Sequence, residues 1–103
     1  MAEVFFPEYV NNFIASLGDT RIDVLADLML IGEFRPEALS FCSDLGGGIW
    51  EYSRYMGFGS DAYLLFTYTV STNSYVVLHA FRGASGGSPK AELRFARKQK
   101  AKL

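Results

Sequence analysis

The sequence predicts an α+β domain, with helices packed on a twisted antiparallel sheet and a last helix at the end. Three observations predict it. Up to residue 45, apolar residues recur at helical spacing; beyond Gly46-Gly47-Gly48 they run in extended, aromatic-rich stretches. After the last such stretch, Tyr75 to Phe81, comes the small-residue run GASGGSP and a cationic tail. With 103 residues and no linker, one domain spans residues 1–103. A chain of that length buries about two-thirds of its unfolded surface.

In order, Ala2 to Phe6 reads as a short strand ended by Pro7. Tyr9, Val10, Phe13, Ile14 and Leu17 give a first helix its apolar side, and Gly18 closes it. Asp19 can cap the second helix, whose expected core stripe is Ile22, Leu25, Ala26, Met29 and Leu30, with Gly32 as its stop. Pro36 opens a shorter helical piece through Leu45, ended by the three glycines. Three strands follow, Ile49 to Met56, Ala62 to Val70 and Tyr75 to Phe81, joined by loops short enough for antiparallel neighbours. Gly83 to Gly87 must turn; Ser88 then fits an N-cap and Pro89 the first helical position. Ala91, Leu93, Phe95 and Ala96 supply the last helix's apolar side.

The C-terminal half resembles a family. Val77-Leu78-His79-Ala80-Phe81, then Ser88-Pro89-Lys90 with Ala96 and Arg97 on the helix, is similar to the C-terminal pattern of HigB-like, phage-derived members of the RelE/ParE toxin superfamily. Gly48-Ile49-Trp50-Glu51 looks like that family's Gly-Leu-Trp-Glu strand. The resemblance covers the N-terminal half by architecture only. It implies a RelE/ParE-like fold and, for an intact member, a ribosome-dependent mRNA endoribonuclease of a toxin–antitoxin system. Under that reading Arg82, Lys90 and Arg94 are the surviving cations, and the partners are an antitoxin, the ribosome and mRNA. Members usually carry lysines at the positions of Gly83, Ala84 and Gly87, and arginines at or near Ser53 and Leu64. All five are uncharged here, and with them goes the charge that would hold RNA phosphates and stabilise the cleavage transition state.

Charge points the same way. The net charge is −1, and a near-neutral chain is a poor match for an RNA-binding face. Lys90, Arg94, Arg97, Lys98, Lys100 and Lys102 do cluster, as cations complementing a helix C-terminus would. Cys42 is the only cysteine, so no disulfide forms within the chain, and a reducing, cytoplasmic setting is expected. The start has no signal-peptide pattern and no apolar run reaches membrane-spanning length, so a soluble chain away from membranes is expected. No cofactor motif or metal-ligand constellation appears: the two glycine runs lack the lysine of a P-loop. His79, the only histidine, is the obvious candidate for acid–base chemistry, but it sits in an apolar strand and reads as scaffold; Glu51 has no evident acid partner.

What the chain carries instead is aromatic. With 16% aromatic residues it has side chains to spare beyond a core. Tyr52, Tyr55, Met56, Phe58 and Tyr63 crowd the first strand pair and its loop, and such residues are enriched in protein-binding hot spots. The expected function is therefore protein binding through this patch on a toxin scaffold that has lost its cleavage residues. Such a scaffold reused as a designed binder would take a viral or cell-surface protein as its target class. The alternatives are the HigB-like nuclease and a divergent member that only pairs with an antitoxin through its helices.

Overall fold

In the computed structural model, which describes residues 1–103, the chain runs β1 (Glu3–Phe5), α1 (Glu8–Ala15), α2 (Thr20–Phe34), β2 (Cys42–Gly46), β3 (Ile49–Gly57), β4 (Ser60–Thr69), β5 (Ser74–Ala84) and α3 (Lys90–Ala101). It is an α+β fold with three helices and a five-stranded sheet in the order β1-β5-β4-β3-β2. The β3-β4-β5 meander is antiparallel, as the short loops require. The sheet as a whole is mixed, because β1 lies parallel to β5 with Val4 opposite Tyr75. A parallel neighbour needs a long crossover, and everything between Phe6 and Asn73 supplies it.

Residues 36–45 are not the helix expected. Only Pro36–Ala38 makes a single turn of 3-10 helix, after which β2 pairs with β3, Cys42 opposite Tyr52. The glycines act as a hairpin turn rather than a helix stop. Gly46, Gly47 and Gly48 all have positive φ, and Asp44 Oδ1 accepts the Gly46 N–H at 2.8 Å. Asp19 makes no capping hydrogen bond. Gly32 is not a stop either, since α2 runs through it to Phe34. A Cβ at Gly32 would collide with the Ala2 carbonyl oxygen, and Ala2 N–H donates to Gly32 O at 2.8 Å. Glycine is there so that β1 can lie against the helix backbone.

Helices cover both faces of the sheet. On one face Val10, Ile14 and Leu17 of the first helical segment and Val24, Leu28 and Ile31 of α2 pack on Tyr52, Leu64, Phe66, Tyr75 and Val77. On the other, Ala96 of α3 packs on Ile49, Leu65 and Leu78. A bulge in β5 opposite Leu65 and Phe66 turns Leu78 toward α3. The stripe of α2 that is buried is not the one expected: Ile22, Leu25, Ala26 and Met29 face solvent, and Leu30 is only half-buried. No helix is long and apolar enough to cross a membrane.

Candidate functional site: the aromatic tip of the β3–β4 hairpin

The β3–β4 connection is two residues, Phe58 and Gly59, between the paired Gly57 and Ser60. Both loop residues have positive φ, 55° and 71°, as the tight hairpin turn that matches strand twist requires. Gly is favoured at the first of these positions because it has no Cβ to strain, and Asn because its short polar side chain hydrogen-bonds the local backbone. Phe58 occupies it nonetheless, and with 107% relative exposure its ring touches almost nothing. Tyr55 stands beside it at 65% exposure, its hydroxyl accepting the Gly59 N–H at 3.2 Å. That bond pins the turn and holds the Tyr55 ring at the tip.

The remaining rim is polar. Opposite Tyr55 in the ladder is Asp61, whose carboxylate accepts the Ser85 hydroxyl at 2.6 Å, while Ser85 N–H donates to Gly59 O at 2.8 Å. Two exposed aromatics thus rise from a tip braced by the β5–α3 loop. No capping side chain or apolar neighbour explains their exposure.

Three of the five residues expected in the aromatic patch do not belong to it. Tyr52 and Tyr63 are both 0% exposed. Tyr52 lies under α2, donating to Asp27 Oδ2 at 2.6 Å and meeting Phe41 edge-on. Burial, and then the hydrogen bond to Asp27, push its phenol well above its ordinary value. Tyr63 lies on the other face, stacked on Phe81 with ring centroids 4.9 Å apart. Its hydroxyl donates to Ala84 O at 2.6 Å and accepts Gly87 N–H at 3.1 Å, so the 84–88 loop closes over it. Met56 is half-buried against the main core. The physical reason is that both faces are covered where these three lie: Tyr52 and Met56 point to the α1–α2 side, and Tyr63 points under the 84–88 loop.

The cations of the nuclease reading are not brought together. Arg82 is opposite Ala62, a residue of the α1–α2 side of the sheet, whereas Lys90 and Arg94 ride on α3 across the other face. All three are exposed, and none is in an ion pair. Leu64 is core, on the opposite face from Ser53, so those two positions share no cleft.

Ser88 is not an N-cap. Its N–H and hydroxyl both donate to Glu51 Oε2, at 2.9 and 2.6 Å, and Pro89 takes the cap position. Glu51 is buried, and the two donors stabilise its carboxylate where it would otherwise be costly to desolvate. His79 Nε2 meets Glu92, and its ring packs on Phe95 at 4.3 Å, which ties β5 to α3. Cys42 is half-buried; desolvation, then the negative charge of Asp27, push its thiol up to about 12. It is a poor nucleophile at neutral pH.

Sequence reasoning missed two features. Arg54 joins Asp27 at 3.0 Å and Asp23 at 3.4 Å, locking β3 to α2. The other is the exposed apolar face of α2; its signal was present, since apolar residues surround that helix on every side. No protein-family model, curated protein or solved structure matches the chain.

Proposed function

We propose that the chain is a protein-binding domain on a RelE/ParE-like scaffold without nuclease chemistry, with Phe58 and Tyr55 as its contact point. One observation carries this: a fully exposed phenylalanine in the left-handed position of a hairpin turn. Such a placement costs folding stability, of order 1–2 kcal/mol, that Asn or Gly would not cost. A large aromatic ring on a turn tip also exposes apolar area that only a partner can bury. Tyr and Phe supply such area with few torsions to freeze. A target offering a small apolar pocket, such as a viral or cell-surface protein, fits a projecting two-ring tip. The single, poorly reactive cysteine fits a cytoplasmic setting for the chain itself.

Against the endoribonuclease reading stand the separation of Arg82 from Lys90 and Arg94, and the closure of the 84–88 loop over Tyr63. The purified chain should leave mRNA intact in a translation extract. Cuts that vanish in Arg94→Ala would replace this proposal with the nuclease.

The decisive variant is Phe58→Asn, which suits the turn but removes the ring. Its melting temperature should rise, by about 4–8 °C if the gain is about 1 kcal/mol. Against a panel of immobilised viral and cell-surface ectodomains, any one bound by the parent should lose about 2 kcal/mol or more of affinity in the variant. A fall in melting temperature would show that Phe58 serves the fold, and the proposal would lose its support.

A further inference from the structure

Helix α2 presents to solvent an apolar stripe that nothing in the chain covers. Ile22, Leu25, Ala26 and Met29 are spaced so that they fall on one side of the helix; Ile22 is 67% and Met29 75% exposed. Apolar residues lie on the solvent side of α2 as well as on its buried side, although the helix sits on the surface of a small domain. Beside the stripe runs an apolar groove of about 470 Å³ between α2 and β1, floored by Val4, Phe6 and Leu28. One patch therefore carries both projecting side chains and a hollow to receive them. That is the condition for a two-fold interface, in which each copy offers the same surface to the other.

The charges at the two ends of α2 select the occupant and its direction. Arg21 lies in the first turn and Glu33 in the last, both exposed and neither in an ion pair within the chain. Two copies packed antiparallel along α2 bring Arg21 of each toward Glu33 of the other, twice. A parallel pair would instead set like charges together. We propose that the chain forms a two-fold homodimer through antiparallel packing of α2 on α2, the exposed stripe of each copy seating beside the α2–β1 groove of the other. This surface is separate from the hairpin tip, and each can fail without the other.

Sedimentation equilibrium of the full chain over a wide micromolar range tests it. The parent should show a monomer–dimer equilibrium, and Met29→Glu should weaken it about tenfold or more. Because Met29 is exposed, the variant's melt should show a folded monomer; Ile22→Lys is a second variant with the same expectation. Arg21→Glu and Glu33→Arg should each weaken the dimer, and the double exchange should restore it. Phe58→Asn should leave it unchanged. A parent that stays monomeric throughout overturns the proposal and leaves the stripe to a different protein. A dimer indifferent to Met29→Glu and Ile22→Lys overturns it as well, and a double exchange that fails to recover overturns the antiparallel pairing.

Discussion

Under α1 and α2, twelve buried side chains form one cluster, whereas under α3 only four do. The second face leans more on polar ties: Glu51 to Ser88, Tyr63 to Ala84 and Gly87, Thr67 to Gly48, and His79 to Glu92, where the first face adds Tyr52 and Arg54 to Asp27 to its larger cluster. Apolar burial scales with area and sets the global stability. A hydrogen bond exchanged for one with water contributes only about 0.5–1.5 kcal/mol net, so the α3 face is the one that should open locally first. The same sheet thus has one face that decides whether the chain is folded and one that decides whether its end is docked.

The contrast can be broken on its stronger side. Phe66→Ala removes a fully buried ring from the larger cluster and should cost about 3–5 kcal/mol in chemical denaturation. An alkaline titration should weaken the same face. The Cys42 thiol moves from an ordinary 9.0 to about 12, and the Tyr52 phenol is also raised. For groups raised in the folded state, the stabilisation is whole below the unfolded value and lost as pH rises toward the folded one. The melting temperature should hold up to about pH 9 and fall from there toward pH 12, and Cys42→Ala should flatten the early part of that fall.

On the weaker side the losses should be smaller and local. Glu51→Ala leaves the Ser88 N–H and hydroxyl without their acceptor and should cost about 1–3 kcal/mol. Amide exchange should quicken over residues 84–88 while the α1–α2 amides keep their protection. Equal quickening on both faces would show that the two are one cooperative unit. The smallest effect is expected from Thr67→Val, which keeps the shape and loses the 2.6 Å bond to Gly48 O, for about 1 kcal/mol.

Alternation and turn residues made the central meander legible: Gly57 and Gly59 mark one hairpin, and Ser71 to Ser74 the other. The exposed ring of Phe58 was legible from its two glycine neighbours, although the connection reads as residues 57–61 and the structure narrows it to Phe58 and Gly59. β2 was hidden because CSDLG has no alternation and three glycines can end a helix as readily as turn a hairpin. On α2 periodicity could not choose a side, since Val24, Leu28 and Ile31 make as good a stripe as Ile22, Leu25 and Met29. Tyr63 looked like surface because the sequence does not say that α3 and its loop roof the second face, and Tyr52 because it does not say which side of β3 lies under α2. The Glu51–Ser88 tie joins residues 37 apart by side chain, which no local pattern reveals.

The parallel pairing of β1 with β5 has a consequence in time. Val4 waits for Tyr75, a contact 71 positions away along the chain. Local hairpins close early and such long-range pairings late, so the meander should form first and β1 dock last. During synthesis, at about 5–20 residues per second, the first strand and the two helices behind it spend several seconds with no sheet to cover. The apolar sides of α2 are then bare together, both the one the sheet later covers and the one it never does. Aggregation of the nascent chain competes in that interval, and a slower-translated N-terminal half would not shorten it; faster arrival of residues 74–84 would.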